Sequence, residues 1–142
     1  MAEQSKGYEF FDHTADIGIQ AQGATLSELF VHGAQALTEL FAEDSKLEPR
    51  MTRTIQLEAE STESLLLRWL SELLFWFSTK RFLSVQYELT DVTSTLLRGT
   101  VRGDTFDPTR HTQGREVKAI TRHMLKVRQE HGMWHAQVIV DI

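Results

Sequence analysis

The apolar residues of this chain switch twice from a period of two to a helical period and back, which restricts the fold to strands carrying two helices. Tyr8 to Phe11 is a short aromatic run able to open a sheet. Ile17, Ile19 and Ala21 then alternate with Gly18, Gln20 and Gln22, the spacing of a half-buried strand, and Gly23 ends it. Thr25-Leu-Ser-Glu28 reads as a capping box, in which Thr25 and Glu28 satisfy each other's free backbone N–H groups. Behind it Leu26, Leu29, Phe30, Gly33, Ala34, Leu37 and Phe41 recur at helical spacing, which predicts a first helix over 25–43. Ile55, Leu57 and Ala59 alternate again. A second helix is predicted over 63–78, apolar at Leu65, Leu66, Trp69, Leu70, Leu73, Leu74 and Phe77. Leu67, Phe75 and Trp76 widen its apolar surface beyond one stripe. Either the helix is buried between sheet and helix, or one edge of it meets a partner.

From Leu83 onward every period is two. Val85, Tyr87 and Leu89 alternate, as do Leu97, Gly99 and Val101. Gly103 to Glu116 is polar, with Pro108, and is expected to be the longest irregular segment. Val117 to Arg128 is expected as one long strand, followed by a tight turn at His131-Gly132. A last strand carries Trp134, Ala136, Val138 and Val140 on one face. The expected class is α+β: a mainly antiparallel sheet with two helices packed on it in two layers.

The 142 residues fit one domain, 1–142, with 41% apolar and 25% charged residues and no linker-like or repeated tract. The chain has no Cys, which removes disulfides, thiolate metal sites and a cysteine nucleophile. The N-terminus lacks the basic segment and apolar run of a secretory signal. Leu65 to Phe77, interrupted by Arg68 and Glu72, is too short and too charged to span a bilayer. A cytoplasmic location without membrane attachment is expected. The net charge of −5 argues against strong direct binding of nucleic acid, whose affinity comes largely from phosphate neutralisation. Basic residues outnumber acidic ones between Arg98 and His131, while the first 60 residues are acidic. Such asymmetry either orients a protein partner or is scattered solvated charge.

Three segments hold candidate chemistry. Asp12-His13-Thr14-Ala15-Asp16 joins the opening strands, so its side chains gather at a turn near a sheet edge. Two carboxylates and an imidazole there suit a hard cation or acid–base work; they are also ordinary turn residues that cap free N–H groups. At the other end, alternation sets Asp141 on the face opposite Trp134, Ala136, Val138 and Val140, and the α-carboxylate of Ile142 adds a second anion. If the last strand lies beside the first ones, Asp16 joins them in an all-oxygen site; otherwise the terminus is frayed and solvated. Lys118, in Val117-Lys-Ala-Ile-Thr121, either neutralises a phosphate or carboxylate or guards a sheet edge. His111, His123, His131 and His135 show no metal-ligand spacing and read as surface or strand histidines. No Gly-rich phosphate loop, nucleophile elbow or zinc signature is present.

The segments DHTADIG, EVKAITRHMLKV and the ending VIVDI, in that order, resemble the archease family over Tyr8 to Ile142. The resemblance implies a small cytoplasmic protein that assists an RtcB-type RNA ligase in tRNA splicing and RNA repair, promoting its guanylylation and multiple turnover. It implies a divalent ion, calcium in family members, held by Asp16, Asp141 and Ile142, with Lys118 contributing to ligase activation and Asp12 and His13 in support. The family pattern VKAITYH has a Tyr where this chain has Arg122. Oxygen ligands admit Mg2+ or Mn2+ as well as Ca2+. Two other readings fit the same residues. One is a metal-dependent phosphoesterase with Asp16 and Asp141 as ligands and His13 as general base. The other is a metal-independent, chaperone-like adaptor.

Overall fold

A computed structural model describes residues 6–43 and 46–142. Strand β1 (Tyr8–His13) turns into β2 (Asp16–Gly23), α1 (Leu26–Phe41) follows, and the short β3 (Ala42–Glu43) and β4 (Met51–Glu58) lead to α2 (Thr62–Lys80). Then come β5 (Phe82–Val92), β6 (Leu96–Thr105), β7 (Thr112–Gln113), β8 (Ala119–Ile120), β9 (Lys126–Glu130) and β10 (Met133–Asp141). The fold is α+β and every strand pairing is antiparallel.

Both helices start as their side chains dictate. Thr25 Oγ1 accepts from Glu28 N at 3.1 Å, and the Glu28 carboxylate takes Ala24 N–H, one residue upstream of the expected reciprocal bond. Ser61 caps α2 by accepting from Ser64 N, and Arg81 closes it in the left-handed region at φ 57°. The wide apolar surface of α2 is spent mainly on the core: Leu65, Leu66, Trp69, Leu70, Leu73 and Trp76 are buried, and only Phe75 projects well into solvent. Trp69 donates its indole N–H to Phe30 O on α1 at 2.8 Å, so the one polar atom of a fully buried side chain is satisfied.

The strands form more than one surface. β1-β2-β10 continues to β8 and β9 as a five-stranded sheet, while β4-β6-β5 forms a second sheet and β3-β7 a two-stranded ladder. The division follows chain proximity: β5 and β6 are sequence neighbours that pair as a hairpin and recruit β4, whereas β10 returns to β2. Helices α1 and α2 pack against strands of both larger sheets, and one apolar cluster joins them.

Two expectations are corrected. Val117 to Arg128 is not one strand: β8 has two residues, the chain leaves the sheet at 121–125, and β9 begins at Lys126. Met124 sits at φ 56°, a left-handed conformation that breaks a ladder, and Thr121-Arg122-His123 interrupts the apolar alternation. The stretch Gly103 to Glu116 is also less irregular than expected, since β6 runs to Thr105 and β7 pairs with β3.

Candidate functional site

Thr14 and Ala15 alone connect β1 to β2, with His13 paired to Asp16 across the hairpin. Ala15 lies at φ 61°, where a Cβ is unfavourable; such strain in a tight turn is retained where surrounding contacts fix it. β10 lies on the other side of β2, and its register sets Asp141 directly opposite Asp16. β8 completes the row, with Ala119 opposite Asp141 and Lys118 N donating to Asp141 O at 2.8 Å. Residues opposite one another in an antiparallel ladder share a face, with Cβ atoms roughly 4.5–5.5 Å apart. His13, Asp16 and Asp141 therefore stand in one row on the face turned away from Ile17, Val138 and Val140. Ile142 packs its side chain against the apolar cluster, which fixes the position of the group next to Asp141.

Like charges directly opposite each other in a ladder destabilise it, and a cation between them reverses the sign. That physical requirement is the reason the residues suit a divalent ion. The carboxylate oxygens of Asp16 and Asp141 fit a hard cation. Among the described residues no three His, Asp or Glu side chains are grouped to hold a metal, so the two aspartates need further oxygen ligands to complete a shell.

The other candidates are distributed differently. Asp12 is opposite Ile17, on the face away from Asp16, and lines a depression with Glu39, Glu43 and Arg115. Lys118 is exposed and forms no ion pair among the described residues; its backbone N–H joins it to Asp141, while Ala119 is the residue that shares the face of the carboxylate row. His13 is half-buried; its Nδ1 lies 3.7 Å from Asp16 Oδ2 and has no hydrogen-bond partner.

Of the histidines, His111 departs from the reading as a surface or strand residue, while His123 is exposed as expected. His123, in the 121–125 loop, brings its ring to 5.2 Å from that of His13. Its spacing from His13 in the sequence carries no ligand signature, and only the return of β10 between the two segments joins them. His111 is buried, accepting from Asp107 N at Nδ1 and directing Nε2 at Lys46 O and Asp104. It holds the 104–113 loop and is neither a surface nor a strand residue. The signal for this was present in the loop composition: Asp104, Asp107, Arg110 and His111 are spaced to satisfy one another.

Gly18 supports the row from below. A Cβ there would sit 2.1 Å from Phe11 Cζ, so the Phe11 ring occupies the space beside Gly18, which is paired with buried Ile139. Gly18→Ala should displace the ring and destabilise the protein by about 1–3 kcal/mol. In a Phe11→Ala background the same change should cost much less. Urea denaturation of the four-member cycle checks this; equal costs in both backgrounds would rule out the ring contact as the cause.

The fold and the row define a class: a small α+β domain carrying paired carboxylates between a hairpin and a returning strand. The Archease protein family model matches residues 8–142, and the chain belongs to the archease family. It is 37% identical over 136 residues to protein archease of Sulfurisphaera tokodaii, covering 95% of this chain and 98% of that one. With protein archease of Pyrococcus furiosus the identity is 39% over 140 residues, covering 95% and 98%. The solution structure of Methanobacterium thermoautotrophicum protein 1598 superposes with a TM-score of 0.81 at 38% identity, covering 97% of this chain and 100% of that one. The crystal structure of a Thermotoga maritima archease, described as a possible chaperone, has a TM-score of 0.67 at 21% identity, covering 93% and 94%, and shares the fold. No helix among the described residues is long and apolar enough to cross a membrane.

Proposed function

We propose that this chain is a non-catalytic activator of an RtcB-type RNA ligase, working in tRNA splicing or RNA repair as a divalent-cation-dependent accessory protein. The observation that carries the cation requirement is the register of Asp141 on Asp16, with the α-carboxylate of Ile142 one residue further on. The ligase partner is what the family resemblance implies. Asp16, Asp141 and the Ile142 carboxylate would hold the ion, Ca2+ or alternatively Mg2+ or Mn2+, which would supply positive charge to offset the opposed carboxylates. Lys118 is the exposed cation next to the row, available to a carboxylate or phosphate of the partner. The acidic balance of the chain leaves direct RNA binding to the ligase.

The test combines purified ligase, GTP, metal and this protein, and follows guanylate bound to the ligase and the number of turnovers. Both should rise, and unchanged values would overturn the activator reading. Stimulation that persists after chelation would favour a metal-independent adaptor. Nucleotide or phosphate released by this protein alone would favour a phosphoesterase with His13 as base. A short C-terminal extension beyond Ile142, which removes the α-carboxylate, should abolish most of the stimulation while the circular dichroism spectrum is unchanged.

A further inference from the structure

His123 has no part in the oxygen site, yet the fold presses it against His13. The two rings are 5.2 Å apart and tilted by 59°. His13 Nδ1 is desolvated and without a hydrogen-bond partner, which is unfavourable for a polar atom unless a ligand completes it. Asp16 Oδ2, at 3.7 Å, is beyond hydrogen-bond reach. Two imidazoles bound to one tetrahedral ion at metal–nitrogen distances of roughly 2.0–2.1 Å hold their ring centroids about 5 Å apart.

We propose that His13 and His123 form a two-nitrogen clamp for a borderline divalent cation of the zinc, nickel or copper class, seated beside the carboxylate pair. Imidazole nitrogen suits these ions, whereas carboxylate and water suit calcium, magnesium and manganese. The clamp is braced from both sides. His13 ends β1 in the two-residue hairpin, while Arg122, next to His123, donates to Ser64 Oγ at the start of α2 at 3.4 Å. The neighbouring Asp16 and Asp141 lend a negative field that favours any cation. Water completes the shell, so the ion exchanges more readily than one in a four-ligand structural site. An ion in the clamp also repels a hard cation at Asp16. The proposal does not depend on the ligase partner.

The experiment titrates the full chain with Zn2+ by calorimetry in excess Ca2+, and with Cu2+ by electron paramagnetic resonance. One equivalent should bind, with hyperfine structure from two imidazole nitrogens on copper. His123→Gln, at an exposed position, and His13→Gln should each weaken Zn2+ binding by at least the roughly 10–100-fold that loss of a supporting outer-shell group produces. Asp16→Asn should lose Ca2+ binding and keep the nitrogen signature. Unchanged Zn2+ affinity in His123→Gln, or a copper spectrum with oxygen ligands alone, would overturn the clamp and leave the ring contact as aromatic packing only. Failure of ligase stimulation with the nitrogen signature intact would sink the activator reading and not the clamp.

Discussion

Asp16→Asn should leave the protein folded, remove its stabilisation by Ca2+, and make the metal-free protein slightly more stable than wild type. The two directions follow from one geometry. Without an ion, Asp16 and Asp141 oppose each other across the β2–β10 ladder, and neutralising one relieves a cross-strand repulsion of roughly 0.2–1 kcal/mol. With an ion, the native state gains RT ln(1 + [L]/Kd), about 2.7 kcal/mol at a hundred times Kd. A 100-fold loss of affinity reduces that gain to about 0.4 kcal/mol at the same ion concentration. Thermal denaturation with and without Ca2+ therefore gives crossing curves for wild type and variant. Asp141→Asn should behave alike, since the pair is one electrostatic unit, and the double variant should show no further loss of calcium response. A variant that keeps the full calcium shift, or is destabilised equally with and without the ion, would show that Asp16 serves only the hairpin. Ligase stimulation should disappear along with the calcium shift.

Much of this site was legible before the structure, and the limit of legibility has a physical form. Alternation along Val138 and Val140 sets Asp141 on the outer face of β10, whereas the sequence places Asp16 only at the turn between the opening strands. Their meeting depended on which strand β10 joins. That is a non-local choice, invisible to periodicity, and the family resemblance supplied it. The helices were clear to within a few residues because the capping box at Thr25 and the helical spacing of the apolar residues are local signals. The 117–128 segment failed for the opposite reason. Local alternation favoured a strand, but a left-handed residue at Met124 and the docking of Arg122 on α2 pull the chain out of the sheet. His123 moved with that detour, from an unremarkable strand position to the neighbourhood of His13. The polarity of the 103–116 stretch, expected only as irregular chain, serves a buried carboxylate.

That carboxylate belongs to Asp104, only 1% exposed at the end of β6. Its oxygens accept from the backbone N–H groups of Glu48 and Thr105 and from the Arg110 guanidinium, and His111 Nε2 stands at 3.5 Å. Through these bonds it ties the 46–50 segment to the 104–113 loop and so holds β7 against β3. Asp104→Ala strands two backbone N–H groups and takes one carboxylate from Arg110, which keeps Asp107 and Glu48, and from His111, which keeps Lys46 O, a loss of roughly 2–5 kcal/mol at about 1–3 kcal/mol per orphaned group. Against a total stability of about 5–15 kcal/mol that is the largest single-residue effect expected outside the apolar core. The charge itself contributes with a defined pH dependence. Burial pushes the Asp104 carboxyl upward, but the Glu48 N–H, Arg110 and the Thr105 N–H outweigh it and hold the group below its ordinary value. A carboxyl whose folded value is depressed stabilises fully above its unfolded value, about pH 3.9, and loses that contribution as the pH falls toward the folded value. Asp104→Asn keeps the shape and removes the titration. The urea midpoint of wild type should exceed that of Asp104→Asn at pH 7, and the gap should narrow once the pH drops below about 4. A gap that stays constant between pH 7 and pH 3 would assign the effect to hydrogen-bond geometry alone. Hydrogen exchange should then locate the damage: amides of β3 and β7 should open in Asp104→Asn, while those of β2 and β10, which carry the carboxylate row, should keep their protection.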